Sequence, residues 1–328
     1  MYKIFLMILI PMMIHGGACA DIKYPSAVVT QAYGGRFGDQ LLLYYDAKYL
    51  AWLADLPFLY QPFEYSDQLM LDWLELRYSP DLLCKFHKIL PAAEFLVENE
   101  APTLYQVTFG EPIKFPQATK QNSVEFTEHM RRMISPKGKI TGMELPTDRI
   151  TVAVHVRKGG GFDYPLLSQQ EYTPEQIEEV KGLPPPAIGY YDDIFHPTKF
   201  PPDQFYIDQI KRLSDLYRDA PLYVYIFTDD PNPENIKERY KKMVSKDNIV
   251  FESKKNHHNY KSSVIEDFFC MMKFDCLIRS SSSFSMMVDR LGYFKVSISP
   301  KKVRWAGPIL VVDEVSMIIN DQKNCPFL

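Results

Sequence analysis

The stretch Ile150 to Pro165, ITVAVHVRKGGGFDYP, constrains the fold more than any other part of the chain. It opens as an almost uninterrupted apolar strand in which Val152, Val154 and Val156 alternate with Thr151, Ala153, His155 and Arg157. Side chains two apart on a strand share a face, so His155 and Arg157 project together at its end. Gly159, Gly160 and Gly161 follow at once. A buried strand that ends in a cation and then drops its side chains makes a crevice with exposed backbone N–H groups. In open α/β sheets ligands bind outside the carboxyl ends of the strands, and an anion suits this one. An ordinary core strand with a glycine turn is the bland alternative.

The residues after this stretch alternate in the same style. A long loop from Leu166 to Pro202 is rich in proline, and its length suits a functional segment. Asp203 is expected to cap a helix running to about Tyr217. Leu222 to Thr228 reads as a strand ending at Asp229-Asp230-Pro231, with a helix over Pro233 to Val244 and a short strand over Ile249 to Phe251. A helix from Ser262 to about Phe274, a strand from Asp275 to Arg279, the run Ser280-Ser281-Ser282-Ser283, a helix to Leu291 and a strand from Lys295 to Ser299 complete the pattern. Repeated βα units predict a parallel sheet covered by helices.

The first half is less regular. A strand over Ala27 to Gln31 leads into Gly34-Gly35-Arg36-Phe37-Gly38-Asp39-Gln40 and then an apolar helix from about Asp39 to Leu53. Strand, glycine loop and helix aim free N–H groups at a phosphate, although any tight turn can use glycine. The loop matches neither the Walker pattern nor the dinucleotide fingerprint. Residues 57–146 read as helical stretches broken by prolines, with an amphipathic helix over Asn122 to Ile134 and a domain boundary near Thr141 to Asp148. A chain of 328 residues usually carries two domains, here placed at 21–146 and 147–328.

A net charge of −4 argues against a nucleic-acid partner. Lys3, the apolar run Ile4 to Ile14 and Ala18-Cys19-Ala20 read as a secretory signal over residues 1–20, too short to span a bilayer and cleaved after Ala20. Export follows, to the periplasm or outside, or to a lumen in a eukaryote, with no membrane span left in the mature chain. Cys84, Cys270, Cys276 and Cys325 fit no zinc spacing, and Cys270 and Cys276 are expected as buried free thiols. His257 and His258, flanked by Lys and Asn, read as a solvated loop.

Three strand ends therefore carry polar clusters: His155 and Arg157, Asp229 and Asp230, and Ser280 to Ser283. In a parallel sheet these ends lie along one edge. Arg forks across phosphate oxygens, a serine-opened helix offers hydroxyl and N–H donors, and acids accept bonds from a base or ribose. The set suits a nucleoside diphosphate. Singly, each also fits a structural role: a salt bridge for Arg157, an N-cap for Asp229 or Asp230, a polar cap for the serines.

At this point the sequence resembles a known family. His155-Val156-Arg157-Lys158 is similar to the H-x-R-R segment of the fucosyltransferase superfamily, which joins α1,2-, α1,6- and protein-O-fucosyltransferases. Tyr225 to Pro231, Glu266 to Ser285 and Gly35 to Gln40 resemble three further motifs of that family, in family order, so that the likeness spreads over residues 34–292. The resemblance implies a GT-B-type α/β fold with two Rossmann-like domains facing a cleft. It also implies GDP-fucose as donor, inversion at the anomeric carbon, a glycan or protein acceptor, and no metal or other cofactor. By motif position Arg157 would hold the pyrophosphate, and His155 with Asp230, beside Asp229, would contact the nucleoside. Ser282 and Ser283, with Ser281 beside them, would hold the β-phosphate. The loop of Gly35, Arg36, Phe37, Gly38, Asp39 and Gln40 would close from the other domain.

Three departures stand out: Lys158 replaces the second arginine, Gly160 stands where an acid is usual, and Asp39 replaces the usual Asn. Asp163, which follows the glycine turn beside Arg157, is the candidate general base, and a mechanism in which Arg157 drives departure with no strong base is the alternative. A non-catalytic carbohydrate- or nucleotide-binding protein on the same fold is the alternative function.

Overall fold

The computed structural model describes residues 26–95, 102–111, 113, 123–140, 143–159, 171–182, 191–254 and 264–320. The first half contains β1 (Ala27–Ala32), α1 (Phe37–Leu53), β2 (Phe58–Tyr60), α2 (Leu71–Leu74), β3 (Leu76–Arg77), β4 (Lys88–Pro91), β5 (Thr103–Thr108) and α3 (Val124–Met133). Its strands form one parallel sheet in the order β3-β2-β1-β5-β4. Residues 57–146, expected as helices and loops, thus hold four strands.

The second half contains β6 (Ile150–Val156), α4 (Pro174–Lys181), α5 (Asp192–Phe195), α6 (Asp203–Leu216), β7 (Leu222–Thr228), α7 (Pro233–Val244) and β8 (Ile249–Ser253). It continues with α8 (Val264–Met271), β9 (Cys276–Arg279), α9 (Ser283–Leu291), β10 (Val296–Ala306) and β11 (Ile309–Ile319). The sheet order is β11-β10-β9-β6-β7-β8, parallel throughout except for the β10–β11 hairpin. Strand order reverses between β6 and β9, so the ends of these two strands flank a topological switch point, where α/β sheets bind ligands.

β6 is central because it is apolar on both faces. Val152, Val154 and Val156 pack with Phe205, Ile210 and Ile226 on one side. Ala153 on the other face joins a core that runs through both halves, from Val28, Tyr44 and Tyr105 to Phe227, Phe268 and Met287. α1 sits inside that shared core with apolar residues buried all round, as a helix without a polar face must. α9 packs beside it, tied to the first half by Arg131 from α3 and by its own Arg290. Arg131 donates to the carbonyls of Leu291 (2.6 Å) and Gly292 (3.0 Å), capping the negative end of the helix, and Arg290 pairs with Asp46 at 3.3 Å.

Four expectations are corrected. The segment 166–202 is not a plain loop, since α4, α5 and a 3₁₀ turn at Pro197–Lys199 lie within it. Asp203 does not cap α6, whose N-cap is Pro202. Its carboxylate instead takes Lys158 Nζ at 2.8 Å, Tyr240 Oη at 2.7 Å and Arg239 at 2.5 Å. The strand expected to end at Ser299 runs on to Ala306 and turns at Gly307, whose φ of +62° suits glycine, into β11. A bulge between Pro300 and Lys302 absorbs the proline. The first helix begins at Phe37, two residues before its expected start. Cys270 and Cys276 are buried free thiols as expected, while Cys84 is free and exposed.

Candidate functional site

One pocket opens at the carboxyl ends of β6, β7 and β9. His155 and Arg157 come from β6, Thr228 and Asp229 from the end of β7, and Ser282, Ser283 and Phe284 from the start of α9. Gly35, Arg36, Phe37, Gly38 and Asp39 close it from the first half. The polar strand ends that the sequence suggests share an edge do meet.

The glycine loop is held by its own side chains. Gly35 takes φ +68°, and Asp39 Oδ2 accepts from the Arg36 backbone N–H at 3.2 Å. The Asp39 carboxylate is therefore part of the turn that starts α1. Gln40 is a brace outside the pocket wall, donating to the Gly35 carbonyl (3.2 Å) and accepting from the Glu64 N–H (2.9 Å). Phe37 is buried, its ring packed on Phe268 at 5.6 Å and Phe284 at 6.3 Å, so it joins the halves as well as walling the pocket.

The two acids after β7 part company. Asp229 reaches the pocket, accepting from the Lys158 N–H at 2.6 Å and lying 3.8 Å from Arg36 across the cleft. Asp230 lies outside the pocket wall, where its Oδ1 takes the Asn232 N–H at 2.7 Å and shapes the turn before α7. The serines divide likewise. Ser282 and Ser283 line the pocket at the first turn of α9, and the N-cap residue Ser282 makes no side-chain capping hydrogen bond among the described residues. Its free N–H groups and partial positive charge are available to an anion. Ser281 is structural, its N–H on the Thr198 carbonyl (3.0 Å) and its hydroxyl on the Pro300 carbonyl (3.3 Å).

Arg157 lines the pocket, with its guanidinium 5.1 Å over the buried Phe200 ring. Lys158 points the other way, into Asp203. Burial opposes ionisation of Asp203, but Lys158, Tyr240 and Arg239 together outweigh it and hold its carboxyl below the usual range. Ser280 is buried and does not line the pocket. Asp163, the candidate base, and His257 and His258 lie outside the described residues, as do residues 1–20 and Cys325.

His155 is neutral. Burial, opposed by the Asp229 carboxylate and reinforced by the guanidiniums of Arg157, Arg36 and Arg279, pushes its imidazole down to about 4. A neutral ring carries one donor and one acceptor, and among the described residues its buried Nδ1 has no hydrogen-bond partner. Leaving such an atom unpaired costs about 1–3 kcal/mol. The depressed value also makes folding pH-dependent. Unfolded His titrates near 6.5, so between about pH 6.5 and 4 the unfolded chain binds the extra proton and stability falls as pH falls. The loss at this one group reaches roughly 3 kcal/mol. His155→Gln should flatten the melting temperature against pH across that window, and an unchanged slope would show that His155 is not the group responsible.

Sequence reasoning missed several wall residues: Glu64 and Tyr65 after β2, Lys199 in the 3₁₀ turn, and Val264, Asp267 and Met271 on α8. Asp267 is paired with Lys254 at 2.6 Å. Among the described residues no group of three or more His, Cys, Asp or Glu is arranged to hold a metal ion, and no helix is long and apolar enough to cross a membrane.

No family model and no curated protein matches the sequence. Among solved structures, the chain is similar to an Arabidopsis thaliana FUT1 variant in complex with GDP, with a TM-score of 0.51 and 12% identity over 84% of this chain and 70% of that one. The fold is fucosyltransferase-like. Two further likenesses are weaker in overlay: NodZ alpha-1,6-fucosyltransferase soaked with GDP-fucose (TM-score 0.46, 13% identity, 90% and 99% of the two chains) and POFUT1 in complex with GDP-fucose (0.46, 12%, 83% and 96%). At these identities the likeness is one of fold, and the chemistry of this chain rests on its own pocket.

Proposed function

We propose that the protein is a glycosyltransferase that binds a GDP-sugar, GDP-fucose by the resemblance of its motifs, and transfers the sugar with inversion and without a metal to a glycan or protein acceptor. The observation that carries the reading is the single pocket where Arg157, the uncapped start of α9 with Ser282 and Ser283, and the glycine loop face one another. A cation and free N–H groups neutralise a diphosphate, while neutral His155 and the Asp229 carboxylate suit the uncharged donors and acceptors of a nucleoside. The GDP bound in the FUT1 variant supports the choice of guanine.

In this reading the bond from the anomeric carbon to the β-phosphate oxygen breaks as an acceptor oxygen attacks from the opposite face. The acceptor proton passes to a carboxylate, for which Asp163 is proposed, and GDP departs with its developing charge on Arg157 and the α9 N-terminus.

Thermal unfolding with GDP, UDP or ADP, each with and without EDTA, tests the donor. GDP at a hundredfold excess over its dissociation constant should stabilise the protein by about 2.7 kcal/mol, chelator or not. A shift with UDP and none with GDP would overturn the guanine reading, and a metal-reversible loss on EDTA would overturn the metal-free one. Release of GDP from GDP-fucose by the purified protein separates a transferase from a binding protein on the same fold.

A further inference from the structure

The 3₁₀ turn Pro197–Lys199 and the residue after it lie against the pocket through three consecutive residues, Thr198, Lys199 and Phe200. The Thr198 carbonyl holds the Ser281 N–H at 3.0 Å, next to the pocket serines. Phe200 lies under the Arg157 guanidinium. Lys199 lines the pocket between them, its ammonium 3.3 and 3.4 Å from the two Asp192 oxygens. That separation is at the long end of hydrogen bonding, and the pair is partly solvated, so the ammonium can swing toward an anion at little cost.

Lys158, beside Arg157 in sequence, cannot do this while its Nζ is committed to Asp203 on the far side of the strand. The described cations that line the pocket are Arg36, Arg157 and Lys199, and Arg36 faces Asp229 from the opposite half. We infer that Lys199 is the second cationic ligand of the donor diphosphate on the sheet side of the cleft, placed at its terminal phosphate beside Ser282 and Ser283. The inference rests on the GDP-sugar reading above. It gives the turn before α6 a function: one short segment positions Arg157, anchors the serine run and supplies the charge that Lys158 does not.

Calorimetric titration of GDP and GMP into wild type, Lys199→Ala, Lys199→Gln and Lys199→Arg tests it. Lys199→Ala and Lys199→Gln should each weaken GDP by about tenfold or more, the scale of one lost charge-assisted bond. GMP, which lacks the terminal phosphate, should lose much less, and Lys199→Arg should recover most of the GDP affinity. Equal losses for GDP and GMP would mean that Lys199 only pins the turn through Asp192, and would overturn the inference. So would unchanged GDP affinity in the variants. A wild-type protein that binds no GDP at all would instead fail the donor reading, and the assignment of Lys199 would fall with it.

Discussion

Replacing Arg157 with alanine is expected to lower sugar transfer by about a hundredfold or more, the loss found when one preorganised donor to a charged transition state is removed. The protein should stay folded. The strand that carries Arg157 is fixed by Val152, Val154 and Val156, which are fully buried, whereas the guanidinium itself packs on one face of Phe200. On a buried ring that cation–π contact is worth about 1–2 kcal/mol, so the melting temperature should fall modestly rather than not at all. Arg157→Lys should recover only part of the rate, because an ammonium cannot fork across two phosphate oxygens. Lys158→Ala should give the opposite signature. It breaks a largely buried pair with Asp203, which keeps Arg239 and Tyr240, so about 1–3 kcal/mol of stability should go with little change in GDP affinity. Donor turnover and thermal unfolding of the three variants decide the matter. Near-normal turnover by Arg157→Ala, or failure of that variant to fold, would make Arg157 structural.

The contrast between these neighbours shows what a sequence can carry. Alternation along Ile150 to Lys158 places Arg157 and Lys158 on opposite faces, and the structure agrees. The βα pattern of the second half was equally legible, with β7 ending where its apolar run ends and α7 starting at Pro233. Local rules gave way where a tertiary partner outbid them. Asp203 has the chemistry of an N-cap, yet a lysine 45 residues earlier claims its carboxylate. Pro300 and Lys301-Lys302 look like the end of a strand, yet a bulge carries β10 past them into a hairpin with β11. In the first half, β2, β3 and β4 have only 3, 2 and 4 residues, too few to show a period of two against the prolines around them.

The site divided along the same line. His155, Arg157, Asp229, Ser282 and Ser283 announced themselves by lying at or just past strand ends, and all five line the pocket. Two of a pair could not be told apart, because Asp229 and Asp230 differ only in which way the turn faces them. Glu64 had no local signal, and nothing singled out Asp267 within its motif or Lys199 within its stretch, since each reaches the pocket from a separate element and acquires meaning only when the chain folds. The proline-rich stretch 166–202 did signal a functional segment, and Lys199 lies inside it.

Gly38→Ala is expected to impair both folding and donor binding, although it adds a single methyl group. A Cβ at Gly38 would lie 2.6 Å from the Cα of Phe284 and closer still to its backbone nitrogen. The obstacle is the first turn of α9, which cannot step aside as a side chain tip can. α1 and α9 must therefore separate, which disturbs the packing of Phe37 on Phe268 and Phe284 and costs about 1–3 kcal/mol. The same displacement draws the glycine loop away from Ser282 and Ser283, the two sides that a diphosphate would bridge, so GDP affinity should fall by about tenfold or more. Gly35→Ala serves as the comparison. Its φ of +68° imposes about 1–2 kcal/mol of strain on any other residue, but the added methyl meets Asp39 within its own loop and leaves α9 in place. Melting temperature and GDP titration of both variants separate the two effects. A Gly38→Ala protein with wild-type stability and GDP affinity would mean that the loop and α9 do not meet as closely as their shared core requires.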